Sequence, residues 1–309
     1  MHNDGNAAIL DQEVRMKGVA ENRTRSLRRS KLLAKGGTWE VIAQANASDA
    51  DIVHIELESG FADEARVAAV EVTCRTLMEM NWSNKEAWVR FRHISEPGTR
   101  EEISLVMAGR PHLVYCAKVK SAHDIIQLDE AVTACEHHHG IYPGSTQIGA
   151  VIERIEALYA LDEIASASPR MGAIMFGAND MSLDVGYRRS GVVGDNPETL
   201  HIRSKMVMAG RLAKIDIIDA AWSNWANLAD SAADAQFSAR MGFSGKTALK
   251  PDQVAGIHDA FKPTARELAW AEEVVAAYAQ EDERLRLVDG DRIDPADHAR
   301  ALCLIGRAR

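Results

Sequence analysis

The sequence predicts a (β/α)8 TIM barrel. Three observations carry that expectation. Eight short apolar runs, near Lys31, Asp51, Glu86, His112, Gln147, Met171, Asp216 and Gly245, recur along a chain of 309 residues. Each run is followed by apolar residues at helical spacing, and regular alternation of strand and helix implies a parallel sheet. Most polar residues that could do chemistry fall at or near the carboxyl ends of the runs, where barrel active sites lie.

Residues 1–28 read as a polar N-terminal extension, partly flexible, whose basic end (Arg23, Arg25, Arg28) runs into the fold. The barrel is expected over 29–262 and a C-terminal helical segment over 263–309. The first run, SKLLAKG, follows Arg29. A short helix with Trp39, Val41, Ile42 and Ala45 as its apolar face comes next. DIVHIELESG reads as a buried strand ending in Glu56, Glu58 and Ser59. An amphipathic helix spans 62–80, and EAWVRFRHI then places Arg90 and Arg92 on one strand face by alternation. HLVYCAKV brings Lys118 to a strand end. The helix after it closes on His137, His138 and His139. Adjacent helical residues diverge, so this run reads as a solvated helix end rather than a metal site.

The stretch from Gln147 to Gly186 is organised as strand, helix, strand and loop. Glu153 closes its first strand, and Asp180 follows its second, so parallel pairing brings both to the same end of the sheet. Two convergent carboxylates suit a hard divalent cation such as Mg²⁺, with Mn²⁺ as the alternative. By spacing alone, an N-cap and a surface charge explain the pair equally well. A polar loop follows from 187 to 196, carrying Arg188 and Arg189, then a helix, a strand ending at Asp219, a turn with Trp222 and Trp225, a helix over 228–241, and the last strand.

Net charge is −9, which argues against a nucleic-acid or anionic-membrane binder. No apolar run approaches the roughly 20 residues of a membrane helix. The start of the chain lacks the apolar core of a signal peptide. The four cysteines are scattered without a C-x-x-C pair and read as reduced cytosolic thiols, most of them core filler. The expected location is cytoplasmic.

Several of these segments resemble the HpcH/HpaI aldolase and citrate lyase superfamily, in its citrate lyase beta-subunit-like and malyl-CoA lyase branch. The matching motifs are Arg29-Ser30 with Leu32 and Gly36, Glu58 in the D-L-E-D position, Val89-Arg90, Lys118-Val119, Ile152-Glu153, Glu163-Ile164, Phe176-Gly177 with Asp180, and Asp184 with Gly186. Others are Arg203 with Val207 and Ala209, Ile218-Asp219, and Gly242-Phe243-Ser244-Gly245-Lys246 leading to Pro251 and Gln253. The resemblance spans about Arg29 to Tyr278. It implies Glu153 and Asp180 as Mg²⁺ ligands, Arg90, Glu58 and Lys118 as catalytic groups, and Arg29, Arg90, Ser59, Gly177 and Asn179 as substrate contacts. It implies a carbon–carbon lyase acting on a small hydroxy acid, foremost a β-hydroxyacyl-CoA thioester of the malyl- or citramalyl-CoA kind. Alternatives are a class II-type aldolase acting on a free 2-oxo acid, an acyl-CoA thioesterase, and a non-catalytic acyl-CoA-binding homologue. A homo-oligomer, trimer or hexamer, is implied too. The C-terminal segment is then expected over a neighbouring subunit's site, with Asp289, Asp291 and Asp294 as candidate acids.

The chain departs from the family at defined points. Lys35 replaces a proline, Glu56 an aspartate and Arg92 an asparagine. Ser59 stands where an aspartate or histidine is usual, and Lys250 replaces a histidine. Arg92 adds a cation that fits a more anionic substrate or a partner in Glu56 or Glu58.

Overall fold

The computed structural model describes residues 27–189, 191, 197–280 and 286–308. Eight parallel strands close into a barrel in sequence order. They are β1 (Ser30–Lys35), β2 (Ile52–Glu56), β3 (Glu86–Phe91), β4 (Leu113–Cys116), β5 (Gln147–Ile152), β6 (Met171–Phe176), β7 (Asp216–Asp219) and β8 (Gly245–Ala248). β1 closes the ring by pairing with both β2 and β8. The helices are α1 (Trp39–Ala47), α2 (Asp63–Glu79), α3 (Thr99–Met107), α4 (Ala122–His139), α5 (Ile155–Tyr159), α6 (Leu161–Ser166), α7 (Ala178–Val185), α8 (Pro197–Ala213), α9 (Leu228–Met241) and α10 (Val254–Phe261). Beyond the barrel come α11 (Ala265–Tyr278), a small hairpin of β9 (Leu287–Val288) and β10 (Asp291–Arg292), and α12 (Pro295–Ala308). The expected extension lies, up to residue 26, outside the described residues. So does most of the loop after Arg189.

Alternation along each strand divides the core in two. Val53, Ile55, Val89, Val114 and Ile174 face outward and meet the helices. Ile52, Trp88, Leu113, Tyr115, Val151, Met175 and Ile218 form a second cluster that fills the lumen. Arg28 seals the amino-terminal end. Its guanidinium donates to Glu86 (3.1 Å), Gly172 O (3.2 Å) and Asp216 (3.1 Å) and lies 5.0 Å from the Trp88 ring. The single helix expected after β5 is broken at Ala160, giving α5 and α6.

The C-terminal segment has its own core of Ala271, Val274, Val288, Ile293 and Ala301, separate from that of the barrel. Cys116 and Cys135 are buried and all four thiols are free, but Cys303 is exposed and fills no core. No helix among the described residues is long and apolar enough to cross a membrane.

Candidate active site

The carboxyl ends of β2 to β6 place six charged side chains around one mouth. Glu56 ends β2, and Arg90 faces it from the paired position on β3. Arg90 Nε donates to Glu56 Oε2 at 2.6 Å, and its Nη2 bonds the same carboxylate and lies 3.1 Å from Glu58 Oε2. Burial works against the guanidinium charge, but Glu56 overcomes it and holds the Arg90 pKa above its ordinary value. Lys118 Nζ meets the other oxygen of Glu58 at 3.1 Å. Glu58 therefore bridges two cations that belong to different strands.

Lys118 adopts a left-handed backbone, φ 57°, which a side chain beyond glycine seldom takes. That turn aims both ends of the residue inward. Its side chain reaches Glu58 while its N–H donates to Glu153 Oε1 at 2.7 Å.

Glu153 follows β5 and is only 2% exposed. Burial pushes its carboxyl up to about 7, and the charges of Asp180 and Glu58 add to the rise, against the Lys118 N–H and Arg90. Gly177 explains how a carboxylate fits there. A Cβ on Gly177 would lie 2.5 Å from both Cβ and Oε2 of Glu153. Asp180 stands in the first turn of α7, half-buried, and its charge reaches Lys118 as well as Glu153. The pair thus offers oxygen ligands alone, with no ion-paired cation among the described residues and a buried oxygen cradled against bare backbone. That donor set fits a hard divalent ion.

The remaining expected residues sort into those near this mouth and those elsewhere. Asn179 is exposed at the start of α7, where its Oδ1 accepts from Arg189 Nη1 at 2.6 Å. Ser59 is exposed just beyond Glu58. Arg29 is a correction. It precedes β1, at the opposite end of the barrel, and its guanidinium pairs with Asp51 at 2.9 Å. A residue before a barrel strand lies at the amino-terminal face, so Arg29 cannot reach a ligand at the mouth. Arg92 is a second correction. β3 ends at Phe91, alternation stops there, and Arg92 turns to Glu102 (2.8 Å) and Pro97 O (2.9 Å) rather than to Glu56 or Glu58.

Asp184 accepts from the Ile155 N–H at 2.6 Å and from Arg154 at 3.1 Å, which ties α7 to the turn after Glu153. Lys250 Nζ lies 5.2 Å from the Trp225 ring. Trp222 is buried and Trp225 half exposed. His137 and His138 are exposed, as a solvated helix end requires, and His139 bonds Ser104 O at 2.8 Å.

Two polar groups escaped the sequence reading. One is a buried network behind β7 and β8. Lys246 Nζ lies 2.5 Å from Asp234 and 3.1 Å from Asp219, and Arg203 donates to Asp219 at 3.2 Å. Burial opposes ionisation of Asp219, but Lys246 and Arg203 hold its carboxyl well below the usual range. The other is inside the lumen. Lys31, His54 and Tyr115 lie beneath the mouth, and all three are buried. The signal for Lys31 was present, since a lysine interrupts the apolar run SKLLAK at a position that alternation turns inward.

The citrate lyase subunit beta of Haemophilus influenzae is 28% identical over 287 residues, covering 92% of this chain and 97% of the relative. The L-malyl-CoA/beta-methylmalyl-CoA lyase of Cereibacter sphaeroides is 28% identical over 267 residues, 81% of this chain and 83% of that one. Among solved structures, CitE from Mycobacterium tuberculosis in complex with magnesium, acetoacetate and coenzyme A aligns with TM-score 0.74 at 23% identity, over 92% of this chain and 99% of that chain. A citrate lyase from Burkholderia xenovorans aligns with TM-score 0.76 at 16% identity, over 93% of each. These two share the fold. The family model for HpcH/HpaI aldolase/citrate lyase matches residues 29–251, the whole barrel up to the turn after β8. The chain therefore belongs to the HpcH/HpaI aldolase/citrate lyase family and is a lyase.

Proposed function

We propose that this lyase is Mg²⁺-dependent and cleaves, or forms, a carbon–carbon bond in a small hydroxy acid carried as a coenzyme A thioester. One observation carries the reading. Glu153 is a buried carboxylate with a raised pKa, beside Asp180 and at the edge of a mouth that also holds Arg90 and Lys118. Mg²⁺ held by Glu153 and Asp180 would supply charge stabilisation for the enolate that bond cleavage leaves. The chain's own groups do the rest. Arg90 presents a planar fork to a substrate carboxylate or carbonyl oxygen. Glu58 holds Arg90 and Lys118 at a fixed separation by pairing with both. Lys118 places a second cation at the rim, where its side chain is 38% exposed. Gly177 keeps the approach to Glu153 open. A serine hydroxyl is no base at neutral pH, so Ser59 does not take the substrate's hydroxyl proton.

The thioester is favoured because the resemblance continues past the barrel's catalytic strands, through Gly245-Lys246, Pro251 and Gln253. The relatives named as lyases of malyl-CoA and methylmalyl-CoA support the same choice. A second reading, cleavage of a free 2-oxo acid, is favoured by the same mycobacterial protein's structure with pyruvate. Glu153→Ala and Asp180→Ala are expected to abolish metal-dependent turnover while circular dichroism keeps the wild-type spectrum. Full activity in either variant would remove the metal assignment.

A further inference from the structure

The ring order of the barrel sets where a long ligand can leave the mouth. Arg90, Glu58 and Lys118 occupy the rim over β2 to β4, and Glu153 and Asp180 the rim over β5 and β6. Strands β7 and β8 lie across the closed barrel from β3 and β4. An acyl group held between Arg90 and the two carboxylates therefore has its open rim over β7, β8 and β1. A cavity of about 80 Å³ opens on that side. Its lining runs from Ala178, two residues before Asp180, to Trp222, Ser223 and Lys246.

Two side chains follow this lining in the chain. Trp225, in the turn after β7, is 51% exposed, although tryptophan is ordinarily well buried. Lys250, after β8, is exposed, and its Nζ lies 5.2 Å from the Trp225 ring. That ammonium makes no hydrogen bond or ion pair among the described residues. A surface cation–π contact is weak and leaves all three donors unused.

Both loops are nonetheless held firmly from behind. The Asn227 N–H donates to Asn224 O at 3.0 Å, which closes the turn around Trp225. Asn227 Oδ1 then accepts from the Asp230 N–H at 3.1 Å and caps α9. Gln253 is 2% exposed, accepts from the Lys250 N–H at 3.1 Å and donates to Ser231 Oγ at 3.0 Å. Ser231 belongs to the first turn of α9. One buried glutamine thus ties the Lys250 loop to the helix that carries the Trp225 turn. The two backbones are set relative to each other before a ligand arrives, which lowers the cost of binding.

We propose that Trp225 and Lys250 form a platform for an adenine nucleotide, the handle of the coenzyme A thioester. Adenine stacks on the indole, and the ammonium meets a phosphate. A small hydroxy acid alone needs neither group, because Arg90 and Lys118 serve its carboxylate at the opposite rim. The net charge of −9 repels a polyphosphate, so an unneutralised rim cation is the group such a ligand requires. The inference rests on the thioester reading, and its test separates the two.

Calorimetry of the full chain with Mg²⁺ compares coenzyme A, pantetheine and ADP. Wild type is expected to bind coenzyme A more tightly than pantetheine. Trp225→Ala is expected to weaken coenzyme A about tenfold and leave pantetheine unchanged, while Trp225→Phe keeps a stacking surface and most of the affinity. Lys250→Met is expected to weaken coenzyme A about fivefold. Lys35→Met, at an exposed lysine over the Phe61 ring at the end of β1, leaves it unchanged. Coenzyme A affinity unmoved by Trp225→Ala would overturn the proposal, as would an equal loss for pantetheine or in Lys35→Met. ADP bound as tightly as coenzyme A would assign the platform to a free nucleotide and overturn the coenzyme handle. If wild type binds no coenzyme A, the thioester reading fails and the platform falls with it. Coenzyme A binding that ignores Trp225 removes the platform alone.

Discussion

Replacing Glu153 with glutamine should make the metal-free protein more stable, with a pH dependence whose sign follows from burial. The carboxyl titrates near 4.5 in an unfolded chain and about 7 in the fold, where desolvation disfavours its charged form. A pKa raised by folding means that stability is full below 4.5 and falls as pH rises toward 7. At about 1.4 kcal/mol per pH unit, the loss reaches about 3 kcal/mol above pH 7. Glutamine keeps the shape and the contact with the Lys118 N–H but never ionises. In EDTA, the Tm of Glu153→Gln should match wild type near pH 4 and exceed it by several degrees at pH 8. Other groups titrate in both proteins and cancel in the difference. Added Mg²⁺ should then raise the wild-type Tm at pH 8 and leave the variant unmoved. Parallel Tm curves from pH 4 to pH 8 would refute the reasoning, because Glu153 would then be solvated or already neutralised.

Further expectations follow from the same geometry. Gly177→Ala sets a methyl 2.5 Å from the Glu153 carboxylate, so calorimetry should find Mg²⁺ affinity lost, with destabilisation of about 1–3 kcal/mol from overpacking. Arg90→Lys keeps the charge but removes the fork, and steady-state kinetics should show KM for a carboxylate-bearing substrate raised about tenfold or more. Lys246→Met leaves Asp219 and Asp234 buried with Arg203 as their remaining cation, and urea denaturation should report a loss of about 3–5 kcal/mol. Arg29→Ala, far from the mouth, should leave kcat and KM unchanged, as a coupled assay would show.

Barrel architecture was legible because each strand is a short apolar run with a helical pattern behind it, and closure adds no residue-level signal of its own. All eight strands fall where their runs begin. Glu153, Asp180, Glu58, Arg90 and Lys118 were legible because they end strands or follow them. Arg29 was misplaced for the complementary reason. It precedes its strand, so the motif that carries it cannot say which end of the barrel it serves, whereas direction along the strand can. Arg92 failed because alternation was carried one residue past the end of β3. The lumen layer of Lys31, His54 and Tyr115 was not anticipated, since strand pairing register, which sequence periodicity leaves open, decides which inward residues share a level. The Asp219, Lys246 and Arg203 network escaped for a similar reason, because it joins two strands and two helices that lie far apart in the chain.

The first experiment is a mass-spectrometric assay of the purified protein with Mg²⁺. Malyl-, methylmalyl- and citramalyl-CoA are offered beside free 4-hydroxy-2-oxo acids, each repeated with EDTA. Release of a shorter acyl-CoA with glyoxylate or pyruvate, abolished by EDTA and by Asp180→Ala, is the expected result. Cleavage that persists in EDTA would contradict the metal-dependent site at Glu153 and Asp180, and products from the free acids alone would contradict the thioester.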